Sequence, residues 1–167
     1  MLDPHEMLAV AQQLISSETG SANDAQRRRA VSTAYYAVFH ATLQWAADRF
    51  VGPASRDSAA YTIFYRGFSH TRMAEVYKAL DRDFISKPYQ NKLKRDSVSK
   101  PLRSFCGFFV ELQDHRHQLD YDPQHEPDYV GAELACYAAM DAIRVLSEVD
   151  PDELADVLAL MVVGSRS

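Results

Sequence analysis

Only two cysteines, Cys106 and Cys136, occur in the 167 residues, and both sit in apolar surroundings that read as helix. Two such residues are reduced core side chains more readily than a disulfide, which points to a cytoplasmic protein. Long apolar runs are missing as well, so no stretch of the chain spans a membrane. The N-terminal MLDPHEMLAV has neither the basic start nor the apolar run of a signal peptide. Nothing alternates convincingly as a strand, and there are no internal repeats and no low-complexity segment. Metal-ligand spacing is also absent. His115, His117 and His125 lie among Asp114, Asp120, Asp122 and Asp128, but no two of these histidines stand four residues apart as in a helical zinc site. No metal and no cofactor are expected. The length suits one domain with a sizeable core.

The net charge of −5 is unevenly spread. Residues 1–103 hold 15 Lys and Arg against 10 Asp and Glu, a net of +5, while residues 104–167 hold 3 against 13, a net of −10. An acidic chain is a poor general binder of nucleic acid, which is held mainly through its phosphates. One basic run, Lys87, Lys92, Lys94, Arg95, Lys100 and Arg103, is opposed within it only by Asp96. It reads as a solvated loop or as a phosphate-facing surface.

What is present in quantity is helix signal. Asp3, Pro4 and Glu6 start a helix whose apolar face is Met7, Leu8, Ala11, Leu14 and Ile15, ending near Gly20. Arg27–Arg49 contains no Gly or Pro and predicts one long central helix, capped by Asn23 or Asp24 and closed by Gly52-Pro53. Pro53 to Ser69 is irregular, and Ser69 caps a helix from Thr71 to Leu80. Asp81 to Ser97 reads as loop. A second long helix starts at Ser97 or Ser99 with Pro101 in its first turn, and carries Leu102, Phe105, Phe109, Leu112, Arg116 and Leu119 at three-four spacing. Pro123 and Pro127 bracket its exit. Asp128 caps a helix through Val149 with Val130, Leu134, Tyr137, Ala138, Ile143 and Leu146 on its apolar face. Asp150-Pro151-Asp152-Glu153 opens a last helix that ends near Gly164. The expectation is an all-α, single-domain bundle of about five to six helices with two long central ones. Residues 1–149 form the bundle, and 150–167 a helical extension on or beside it.

The central helix carries two kinds of face. Val31, Tyr35, Val38, Thr42 and Trp45 lie beside a stripe of Ala30, Ala34, Ala37 and Ala41, a pairing of large and small residues suited to close packing. Arg29, Thr33, Tyr36, His40 and Gln44 form a third stripe with almost no Lys or Glu. It is either a hydrogen-bonding face at a helix or subunit contact or one wall of a site. Arg116 stands out in the second long helix, because a guanidinium is rarely tolerated in an apolar stripe without a partner. Asp120 stands one turn on and can pair with it. Arg116, His117, Asp120 and Tyr121 cluster near the helix's C-terminal end, where a cation, an imidazole and a phenol can bind phosphate and move a proton.

AYYAVFHA at Ala34–Ala41, with Arg116 followed by Asp120-Tyr121 in a later long helix, resembles the HEPN superfamily, the higher eukaryotes and prokaryotes nucleotide-binding proteins. The likeness is to the prokaryotic branch with AYYAxFH and Arg…Ala-Asp-Tyr signatures, with Leu119 in place of the Ala. It covers roughly Ala25 to Ile143. The resemblance implies a helical bundle that is commonly dimeric, in toxin–antitoxin, defence or RNA-processing settings. It also implies a metal-independent endoribonuclease chemistry in which an Arg stabilises charge and a nearby His moves a proton. Arg116 corresponds to that Arg. The His position falls at Tyr121, Asp122 or Pro123, and none of these is His. A phenol with a pKa of about 10 is a poor general base at neutral pH, so cleavage is expected to be weak. By this reading Arg116 and Tyr121 occupy the catalytic positions. Arg116, His117, Asp120, Tyr121, Arg29, Tyr36 and His40 bind nucleotide or RNA at a cleft of a homodimer. The alternative is a non-catalytic helical module that docks a partner such as a nucleotidyltransferase.

Overall fold

The computed structural model describes residues 2–16, 23–122, 124–125 and 128–162. It is all-α: the described residues contain eight α-helices, one short 3-10 turn and no strand. The helices are α1 (Pro4–Ile15), α2 (Asp24–Phe50), α3 (Ala59–Tyr65), α4 (His70–Leu80), α5 (Lys87–Leu93), α6 (Lys100–Tyr121), α7 (Tyr129–Leu146) and α8 (Pro151–Val162). The six expected helices are all there. Two short ones, α3 and α5, lie where irregular chain or loop was expected; Ser58 caps α3 by accepting the Tyr61 amide, and Ser86 stands at the N-cap position of α5 with no side-chain cap hydrogen bond. Pro88 does not prevent α5, because it falls in the first turn, where its missing N–H has no intrahelical partner. The expected ends near Gly20 and Gly164, and the bracketing Pro123 and Pro127, lie outside the described residues.

Local chemistry sets the helix starts. Asp3 accepts the amide of His5 at 2.8 Å, with Pro4 in the first turn. Asn23 and Gln26 satisfy each other's backbone amides at 2.8 and 3.0 Å, a reciprocal capping box that starts α2 at Asp24. Gly52, with φ of 106°, turns the chain after α2 into a conformation that favours glycine. Asp150 accepts the amides of Asp152 and Glu153 at the start of α8.

The chain divides into two compact units: Met1–Ala41 with Phe108–Arg144, and Thr42–Gly107 with Val145–Ser167. In the second unit α8 buries Leu154, Val157 and Leu158. Its Glu153 is also buried, and Oε1 accepts both the Ser99 amide and the Arg95 guanidinium at 2.9 Å. Beside it Cys106 is buried and free, and burial pushes its thiol pKa well up, with Asp81 and Glu153 adding to the effect.

The first unit holds α1, most of α7 and the facing parts of α2 and α6. Ala30, Val31, Ala34, Tyr35, Ala37 and Val38 of α2 are fully buried, so both its large and small stripes pack. Helix α7 behaves differently from expectation. Its buried face is the small stripe Ala132, Ala135, Cys136, Ala139 and Ala142, continued at the C-terminal end by Val145 and by Leu146, which was expected inside. Val130, Leu134 and Tyr137, expected inside, are 60, 60 and 53 % exposed. Small side chains let helices approach closely, and that contact has taken the face that the larger residues were expected to occupy. The helix also ends at Leu146, three residues short of Val149.

Candidate functional site

The stripe on α2 and the end of α6 meet within the first unit. Arg28, the middle of three consecutive arginines, anchors this meeting. Its guanidinium donates to the carbonyls of Leu119 and Asp122 and, at 2.6 Å, to that of His125. The Leu119 carbonyl is one that the end of a helix leaves without an intrahelical partner, and Asp122 and His125 lie just past that end, so one side chain both caps α6 and ties the chain beyond it to α2.

Arg116 then lies one turn inside that anchored end. Its Nε donates to Asp120 Oδ2 at 2.7 Å, as the four-residue spacing predicts. The other carboxylate oxygen accepts the Ser32 hydroxyl at 2.9 Å. Asp120 is thus braced from both helices. The guanidinium carbon lies 5.4 Å from the ring centre of Tyr35 and 5.1 Å from that of Tyr36, a cation held against two aromatic faces. The Tyr35 ring is buried and meets Phe109 edge-to-face at 5.6 Å. Burial raises its phenol pKa, with Arg116 partly opposing the shift, so it stays protonated. For Arg116 burial works to lower the pKa, but the Asp120 hydrogen bond and the neighbouring phenols win, and the net shift is upward. The Arg116 side chain is 15 % exposed. Among the described residues its hydrogen bonding is confined to Nε, which leaves the Nη N–H groups for another acceptor.

The remaining expected site residues divide around this centre. Tyr36 faces His40 with ring centres 6.2 Å apart, and half-burial lowers the His40 pKa, so this imidazole is neutral at pH 7. His117 and Tyr121 pack on one another at 4.5 Å, both exposed. The ring contacts of Arg116 are with Tyr35 and Tyr36, and Tyr121 belongs with His117. Arg29 lies two turns before Tyr36 on α2 and lines the same cleft wall. That wall bounds a cleft of about 400 Å³ between α1 and α2, lined by Leu2, Asp3, Glu6, Met7 and Val10 on one side and Arg29, Ser32, Thr33 and Tyr36 on the other.

His115 is half-buried, and burial, with His125 nearby, lowers its pKa. Among the described residues no group of three or more His, Cys, Asp or Glu is placed to hold a metal ion. Of the basic run, Arg95 is paired with Glu153 and Asp156, and Arg103 with Asp83, while Lys87, Lys92, Lys94 and Lys100 are exposed. No helix among the described residues is long and apolar enough to cross a membrane.

Arg28, Ser32 and Tyr35 are the members of the cluster that sequence reading did not assign to a site. Ser32 and Arg28 act through partners 88 or more positions away, which no local spacing reveals. No protein-family model, curated protein or solved structure matches the chain.

Proposed function

We propose that the chain is a HEPN-type module that binds RNA or a nucleotide through Arg116, and that it is at most a weak, metal-independent endoribonuclease. One observation carries this reading. Among the described residues Arg116 is held by Asp120 through Nε alone and flanked by Tyr35 and Tyr36, so the guanidinium is positioned while its Nη groups remain for an acceptor. Phosphate is the acceptor a planar pair of N–H groups suits best. His40 is neutral and half-buried beside Tyr36, which makes it a wall and not a charged partner for the phosphate. The position of the family's proton-transferring His is filled by exposed Tyr121 on His117, an arrangement that supports binding over rapid cleavage. Two copies are expected to associate, as in the family.

The exposed apolar face of α7 favours a second reading, a helical interaction module. Val130, Leu134, Tyr137 and Met140 recur at three-four spacing and are each at least 43 % exposed. A protein partner, a nucleotidyltransferase among them, is what such a face suits.

Mixed RNA incubated with the purified protein in excess chelator, with Arg116→Ala alongside, tests the first reading. Slow cleavage, or binding without cleavage, that disappears in Arg116→Ala is expected. Rapid cleavage that needs an added divalent ion, or that ignores Arg116→Ala, would overturn it.

A further inference from the structure

The cleft between α1 and α2 has a chemistry of its own. At about 400 Å³ it falls within the roughly 300–1,000 Å³ of small-ligand sites. Its apolar side is Met7 and Val10, and Tyr36 offers a phenol on the other wall. Glu6 and Arg29 line the same cleft from opposite helices. Their charges are opposite, yet they form no ion pair with each other, and among the described residues neither side chain has another hydrogen-bonding partner. The cleft therefore brings together a carboxylate acceptor, a guanidinium donor and an apolar and aromatic lining. Tyr36 is also the ring against Arg116, so the cleft opens from the cation cluster itself.

We infer that this cleft seats a guanine nucleotide, the base edge on Glu6 and the phosphate toward Arg29. The inference rests on the nucleotide reading above and names its base. A carboxylate accepts two parallel hydrogen bonds. Guanine offers N1–H and N2–H side by side on one edge. Adenine and cytosine each set a ring-nitrogen lone pair beside their amino group, and uracil has one N–H between two carbonyls, so a carboxylate meets repulsion on each of those edges. The flat base fits against Val10, Met7 and the Tyr36 ring, and Arg29 meets the phosphate charge.

Titration of guanosine and adenosine monophosphates into wild type, Glu6→Gln, Arg29→Ala and Arg116→Ala tests the assignment. Glu6 and Arg29 are exposed, so neither change should disturb folding. The guanosine nucleotide is expected to bind roughly tenfold more tightly than the adenosine one, within the range of a paired hydrogen-bond contact to a base. Glu6→Gln should remove that preference and leave adenosine nucleotide binding within about twofold of wild type, while Arg29→Ala weakens both nucleotides together. Equal affinities in wild type, or a preference that survives Glu6→Gln, would overturn the assignment. If either nucleotide binds through Arg116 with no preference for its base, the guanine cleft fails and the Arg116 reading stands. Guanosine-selective binding that Glu6→Gln abolishes and Arg116→Ala leaves intact would keep the cleft and take the phosphate contact away from Arg116, whereas no binding of either nucleotide to wild type removes the nucleotide reading and the assignment with it.

Discussion

Helices α2 and α7 are both rich in alanine, and both set large apolar residues beside a small stripe. They use those stripes in opposite ways. Helix α2 buries both kinds, Tyr35 and Val38 as fully as Ala34 and Ala37. Over most of its length helix α7 buries Ala132, Ala135, Cys136, Ala139 and Ala142 and turns Val130, Leu134 and Tyr137 outward; large residues, Val145 and Leu146, are buried only at its C-terminal end. A stripe is buried only if a neighbour covers it, and hydrophobicity alone does not say which stripe finds one. The difference separates the functions proposed for them. Helix α2, packed on both sides, is rigid enough to hold Tyr35, Tyr36 and Ser32 in register with Arg116 and Asp120. Helix α7 keeps an apolar face for something else.

The sharpest test of this contrast is a pair of truncations. Tyr35→Ala removes a fully buried ring from against Phe109 and should cost about 3–5 kcal/mol of stability, as buried aromatic truncations do. Tyr137→Ala removes a half-exposed ring and should stay within about 0.5 kcal/mol. Denaturant melts of the two variants check both numbers, and similar losses would break the contrast.

Arg116→Ala should have an intermediate effect on stability, about 1–3 kcal/mol for a lost charge-assisted hydrogen bond. The carboxylate of Asp120 is not stranded, because Ser32 still donates to it. A drop well beyond that range, read by thermal melting, would mean that the guanidinium serves mainly as an internal strut.

Leu134→Asp sharpens the outward half of the comparison. It should leave the melting temperature nearly unchanged, because Leu134 is 60 % exposed. If α7 mediates self-association, light scattering at micromolar concentration should show a dimer in wild type and a monomer in Leu134→Asp. A dimer unaffected by the change would reserve α7 for a different partner.

The smallest expected effect is on pH dependence. Burial lowers the folded-state pKa of His40 below its unfolded value near 6.5. The unfolded chain then binds the proton more readily, so the contribution to stability is full above about pH 6.5 and declines as the pH falls through the lowered folded value. His40→Asn should flatten the stability profile between about pH 7 and 5. An unchanged slope would assign that dependence to other groups, with His115 next because burial shifts it in the same direction.

The legible parts of the fold were those written locally. Caps at Asp3, Asn23, Ser69, Ser99, Asp128 and Asp150, and Gly52-Pro53 after α2, mark six helices within a few residues. The seven-residue helices α3 and α5 were not legible, being too short for a periodicity to emerge from their mixed composition. The face of α7 was legible only in part: Leu146 is buried as expected, while Val130, Leu134 and Tyr137 point outward, because side-chain size does not by itself decide which stripe a neighbour covers. In the site, the pairing of Arg116 with Asp120 follows from a four-residue spacing, and Tyr36 and His40 follow from one stripe on one helix. Tyr35 was read as core, which it is, but its second role under the guanidinium depends on where α6 packs. Ser32 and Arg28 depend on the same tertiary contact.

The central claim is that Arg116 presents free N–H groups to phosphate from a plane set by two tyrosines and Asp120. Fluorescence anisotropy of a short labelled oligoribonucleotide, with wild type, Arg116→Ala and Arg116→Lys at matched salt and with folding checked by melting, tests it most directly. The account predicts saturable binding by wild type, loss of most of it in Arg116→Ala, and only partial recovery in Arg116→Lys, which restores the charge without the planar donor pair. Binding that is equal in wild type and Arg116→Ala, with both proteins folded, would contradict it.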